Sequence, residues 1–184
     1  MKLQQAAYTL IELLTVLSIT AILIGMAPPA FQSLVNKHKQ DARTEHFYTS
    51  IQYARLLAIE EGHIISLCTS IDGIVCNKAA SNYLIVFHDE NNNKKVDNDE
   101  LKQKVNIQAL DSLISIKVSA GRHYIRFRPD GTAIDFGRIK ICPLSQNNNY
   151  ADELVLNYGG RLRQGQDADN DGIVEGKNGK NIQC

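Results

Sequence analysis

The sequence predicts an α+β fold in which one long N-terminal helix packs on an antiparallel β-sheet head. Three observations lead there. Residues 10–27 form an apolar run, LIELLTVLSITAILIGMA. A three- and four-residue apolar period then continues to Ala58, and beyond Gly62 the period changes to two between turn signals. At 184 residues the chain has room for one such head and its anchor.

The apolar run comes close to the ~20 residues that cross a bilayer, and Glu12 is its only charge. A secretory signal has a shorter apolar stretch ending at a small-residue cleavage site, and a buried core helix keeps a polar face. With Lys2 as the only charge before the run, the expected topology is a single span that leaves Lys2 inside and the bulk of the chain translocated. A carboxylate in hydrocarbon costs roughly 2.5–3.5 kcal/mol, so Glu12 needs a cation. Cutting the chain between Ala7 and Tyr8 would create an amine just upstream, and in a packed assembly the amine of one subunit would neutralise Glu12 of the next. Processing and polymerisation are thus expected together.

The segment AYTLIELLTVLSI resembles the type III signal of type IV pilins and of type II secretion pseudopilins. That resemblance implies cleavage by a prepilin peptidase before Tyr8, methylation of the new amine, and a required glutamate at Glu12. Ala7 stands where the family usually has glycine, and Tyr8 where it has phenylalanine. It also implies a type IV pilin-like fold, with major and minor pilins as partners and passage from inner membrane to the cell surface in the pilus. Pro28 and Pro29 fall where pilin helices bend or melt. The expected organisation is a leader over 1–7, a membrane and filament-core helix over 8–29 held in the inner membrane, an amphipathic helix over 30–62 and a periplasmic β-rich head with a C-terminal tail over 63–184.

In the second helical stretch Phe31, Leu34, Val35, Phe47, Ile51, Ala54 and Ala58 share one face, with Lys37, Lys39, Asp41, Arg43 and Glu45 between them. Gly62 is a left-handed cap in waiting. Strands are predicted at 63–69, 83–88, 113–118, 122–128, 138–142 and 153–158, separated by Asp72-Gly73, Pro129-Asp130-Gly131 and Gly159-Gly160. The four cysteines lack C-x-x-C spacing, which favours two disulfides in an oxidising compartment. Cys68 and Cys76 flank a short turn, and Cys184 is expected to tie the tail to Cys142.

Formal charge is zero, so no global field attracts nucleic acid and any such binding must be local. Arg122, Tyr124, Arg126 and Arg128 alternate with His123, Ile125 and Phe127; Arg138 and Lys140 alternate with Ile139 and Ile141. Gly160-Arg161-Leu162-Arg163 follows a predicted strand, and its two guanidinium forks suit phosphate oxygens. The stretches SLCTSIDGIVC, FRPDGTA followed by ICP, and LVLNYGGRLR resemble the FimT and GspH-type minor pilins. In FimT-like pilins of naturally transformable bacteria a GRxR motif binds DNA for uptake. The resemblance implies that Gly160, Arg161 and Arg163 contact sequence-nonspecific double-stranded DNA, supported by Arg126, Arg128, Arg138 and Lys140. The alternative is a type II secretion minor pseudopilin, or a pilus-priming subunit, without DNA binding.

Two acidic segments invite a calcium test. Asp89, Asn91, Asn93, Asp97 and Glu100 have EF-hand-like spacing, but Lys94 stands where glycine belongs; Asp167, Asp169, Asp171 and Gly172 start well, but position twelve is Asn178. Calcium is not favoured and no cofactor is expected. The chain carries no G-x-S-x-G, H-E-x-x-H, P-loop or dinucleotide fingerprint, and an enzyme is not expected.

Overall fold

The computed structural model describes residues 8–78, 82–97, 99–176 and 179–184, the side chains at 26–30 and 109 excepted. The chain divides into two compact units, Met1–His38 and Lys39–Cys184. The helix α1 runs Leu10–Glu61 and opens with a capping box. The Glu12 carboxylate accepts hydrogen bonds from the Thr9 amide at 2.8 Å and the Thr9 hydroxyl at 2.9 Å, while the Glu12 amide donates to that hydroxyl at 3.4 Å. Glu12 therefore has a partner within its own chain, a role the apolar pattern did not reveal. Ala7 and the rest of the expected leader lie outside the described residues.

In the first unit every large apolar side chain from Leu10 to Ile24 is more than half exposed, so apolar surface lies on all sides of the helix. Among the described residues no helix is long and apolar enough to cross a membrane. The run read in the sequence extends into 26–30, whose side chains lie outside the described ones. Helical backbone continues through Pro28 and Pro29, so of the two outcomes, bending or melting, the chain does not melt there. Proline's fixed φ suits a helix, and what is lost is amide donors.

In the second unit α1 ends at Glu61, and Gly62 takes φ 70°, the left-handed cap. The head has two four-stranded antiparallel sheets rather than one. The first orders β3 (Leu101–Asn106), β2 (Tyr83–His88), β1 (Ile65–Ser70) and β5 (Tyr124–Phe127). The second orders β4 (Ser112–Val118), β6 (Gly137–Pro143), β7 (Asp152–Leu156) and β8 (Leu162–Gln164). Phe47, Ile51, Ala54, Leu57 and Ala58 of α1 share one core with Leu67, Ile125 and Phe127 of the first sheet and Ile139, Ile141, Leu154, Leu156 and Leu162 of the second. Two strands, β3 and β8, escape the sequence pattern.

Polar contacts at the start of this helical face fix its register on the second sheet. The Thr44 hydroxyl donates to the buried Asp152 carboxylate at 2.9 Å, the Gln40 side-chain amide donates to the Ala151 carbonyl at 3.0 Å, and Arg43 reaches Asp111 at 3.4 Å. Disulfides join Cys68 to Cys76 and Cys142 to Cys184, with Cα separations of 5.6 and 5.8 Å. The first closes a loop over the outer face of β1 and β2, where Cys68, Ile85 and Phe87 form a small second core. The second pins the tail, burying Ile182 against Cys142 and Ala151.

Candidate nucleic-acid interface

Directly opposed residues of antiparallel strands point to the same side of a sheet. The register of the second sheet places Lys117 opposite Arg138, Arg138 opposite Val155, and Val155 opposite Arg163. A row therefore crosses all four strands with cations on three of them, Lys117, Arg138 and Arg163, and Val155 between the last two. Lys140 stands two residues along from Arg138, opposite Glu153. At β8 Leu162 is buried while Arg163 and the preceding Arg161 are exposed, so both arginines project outward, roughly 6.6 Å apart if the chain is extended there. They line an open groove of about 670 Å³ with Arg138, Glu153, Gln164 and Tyr48.

The cations of this face are not equivalent. Arg138 is ion-paired with Glu153, whose carboxyl is pushed up by burial against the lowering pull of Arg138 and Lys140. Lys140 donates to the Gln183 carbonyl, and burial, then repulsion from Lys117, lowers its ammonium below the usual lysine range. Among the described residues Arg161 and Arg163 have no side-chain hydrogen bond or ion pair. These two forks are the ones free to take up phosphate oxygens.

Three of the sequence-predicted contacts stand elsewhere. Arg126 and Arg128 belong to the other sheet and its exit loop. Arg126 donates to the fully buried Asp135 carboxylate at 2.7 Å, with Arg122 on the same acid at 2.8 Å; the Asp135 hydrogen bond raises the Arg126 pKa against the lowering effect of burial. Alternation alone could not show that Asp135 would lie under these side chains. Arg128 bonds the Thr132 hydroxyl at 3.2 Å and lies 5.8 Å from the Tyr158 ring centroid. Gly160 is a correction: it is buried, with φ 76° and Gly131 and Arg55 packed against its α-carbon, so it serves the turn and is closed to a ligand. Tyr48, contributed by α1, and Lys117, contributed by the row, were not singled out as site residues. Lys117 could have been found by extending the Arg138 and Lys140 alternation one strand back.

The acidic segments are gathered in different ways. The Asp89 carboxylate accepts the Asn93 and Lys94 amides at 2.8 and 3.2 Å. Asp97 accepts from the side chains of Asn91 and Asn93 at 2.8 and 2.9 Å, and Glu100 accepts the Asp97 amide at 2.9 Å. The loop is thus held by its own hydrogen bonds. In the second segment oxygens of Asp167, Asp169 and Glu175 lie within 4.8 Å of one another, and the Gly172 amide donates to Asp167 at 2.8 Å. Asn178 lies outside the described residues.

Two family profiles match the chain: type II transport protein GspH over residues 43–160, and the prokaryotic N-terminal methylation motif over residues 2–28. Among solved structures the minor pilin FimU of Pseudomonas aeruginosa is 14% identical with a TM-score of 0.45, covering 67% of this chain and 90% of its own. The minor pseudopilin EpsH of the Vibrio cholerae type 2 secretion system is 13% identical with a TM-score of 0.49, covering 68% and 95%. Comparison with curated proteins finds no match.

Proposed function

This chain belongs to the family of the type II transport protein GspH and carries the N-terminal methylation motif of pilin-like proteins, and from that premise we propose that it is a minor pilin whose head binds extracellular DNA for uptake. A prepilin peptidase cuts before Tyr8. The apolar helix holds the subunit in the inner membrane and then packs among other pilins in the filament, leaving the head exposed. The observation that carries the DNA reading is the pair of arginines without partners among the described residues, Arg161 just before β8 and Arg163 within it, both exposed at the end of the row. Phosphate contacts hold no base information, so the binding is sequence-tolerant and weakens with salt. A single head binds modestly, and display along a fibre multiplies its affinity.

Fluorescence anisotropy of labelled duplexes with the full chain in non-ionic detergent tests the proposal. Two duplexes of equal length and unrelated sequence should bind alike, and replacing both Arg161 and Arg163 by Gln should lower the salt slope by about two. Absence of binding at low salt would remove the DNA reading. A second reading is favoured by the family profile, which bears the name of a type II transport protein and ends at Gly160, before both arginines. In that reading the chain is a structural pseudopilin whose arginines face neighbouring subunits.

A further inference from the structure

We propose that Phe136 and Tyr158, with Arg128 beside them, form a stacking site for an unpaired nucleobase, so that the head prefers single-stranded DNA or frayed ends to closed duplex. The inference rests on the nucleic-acid reading of Arg161 and Arg163 and specifies the substrate class of that same site.

Aromatic rings contribute most when buried, yet Phe136 is 43% exposed and Tyr158 59% exposed. The two stand edge to face, with centroids 6.1 Å apart and planes at 84°. Their backbones are fixed. The Tyr158 carbonyl accepts the Ala133 amide at 2.9 Å, and the Phe136 carbonyl accepts the Ser119 amide at 2.8 Å. The rings are therefore presented by ordered chain, and neither joins the apolar core that fills the space between α1 and the sheets.

Position relative to the phosphate-reading arginines decides the ligand. Tyr158 enters the turn that leads into β8. Within that turn the Asn157 amide donates to the Arg161 carbonyl at 3.0 Å, and the Arg161 amide donates to the Asn157 side chain at 2.8 Å. The turn thus carries an exposed ring and an unpartnered guanidinium three residues apart. The Arg128 guanidinium, 5.8 Å from the Tyr158 centroid, adds a second cation at the ring. Exposed aromatics with a cation at one ring and another in the same turn match a polyanion whose bases offer free π-faces. In duplex DNA those faces are already stacked, so the fitting ligand is a base released from pairing.

The test uses the full chain in non-ionic detergent and DNA containing a fluorescent adenine analogue, either in a single strand or in the middle of a blunt duplex. The single strand should bind at least about fivefold more tightly, as one stacked base allows, with quenching of the analogue. Tyr158→Ala and Phe136→Ala should remove the quenching and that preference while leaving duplex affinity and the thermal melt unchanged, and Tyr158→Phe should retain both. Equal affinities without quenching, or alanine variants that behave as wild type, would overturn the stacking site while leaving the phosphate contacts standing. An alanine variant that loses only filament incorporation would assign the rings to a pilin neighbour and also overturn it. Failure of both DNAs to bind would instead remove the nucleic-acid reading itself.

Discussion

Gly160 packs its α-carbon against the carbonyl oxygen of Gly131: a Cβ added to Gly160 would lie 2.1 Å from that oxygen and 2.8 Å from Arg55 Nε. Arg55 Nε donates to the same carbonyl at 2.8 Å, so helix and two turns meet at one point. Gly160 also takes φ 76°, where a side chain is strained in any surroundings. Gly160→Ala should destabilise the head by about 2–4 kcal/mol, adding left-handed strain to overpacking. Thermal melts followed by circular dichroism check it. The loss should appear without any DNA present, which separates the glycine's work from that of the arginines beside it.

Arginines of similar appearance should divide into two groups. Asp135 is fully buried and is satisfied by Arg122 and Arg126. Arg126→Gln removes charge-assisted hydrogen bonds from a buried carboxylate and leaves Arg122 as its only cation among the described residues, so it should cost about 1.5–3 kcal/mol. Arg163→Gln, at an exposed and unpaired site, should change stability by less than about 0.5 kcal/mol. Urea unfolding of the two variants measures the contrast, and equal losses would contradict the division.

That division shows where the sequence stops being readable. Period and turn chemistry place α1, the Gly62 cap and six strands, because each depends on neighbours within a few residues. β3 escapes because LKQKVN places two lysines on an exposed edge, the usual guard against unwanted pairing and a poor strand signal. β8 is only three residues long. Arg126 and Arg138 alternate with apolar residues in the same way, yet one lies above a buried acid and the other on a groove. Only the assignment of β5 and β6 to different sheets separates them. Gly160 enters the expected DNA contacts through the GRxR resemblance alone, and Gly131, against which it packs, is distant in sequence.

Acid should loosen the loop closed by Cys68 and Cys76. Asp72 accepts hydrogen bonds from the Val75 and Ile74 amides and from the Ser70 hydroxyl, which hold its carboxyl down at about 2, below its ordinary 3.8. A depressed carboxyl contributes stability above the unfolded value and loses it as pH falls through the folded one. The contribution is therefore full at neutral pH and is lost between about 3.8 and about 2. The protection of the Ile74 and Val75 amides, relative to their intrinsic exchange at each pH, should fall across that window, and Asp72→Ala should show low protection at every pH.

The two disulfides should differ in what they hold. By the chain-entropy relation a longer closed loop constrains the unfolded chain more. Cys142–Cys184 spans 42 residues and Cys68–Cys76 spans 8. Replacing the first pair by serine should cost about 3–4 kcal/mol, and the second about 2–3 kcal/mol, read from urea midpoints. The longer bridge has a further consequence for the groove. It fixes Ile182 in its small core and brings the Gln183 carbonyl to Lys140. Freeing the tail should release the Lys140 ammonium to solvent and raise its pKa, since burial is the main cause that lowers it. If the tail only stabilises, DNA affinity of the serine variant below its melting temperature will match wild type. If the tail also occupies Lys140, the variant will bind duplex more tightly, with a steeper dependence on salt.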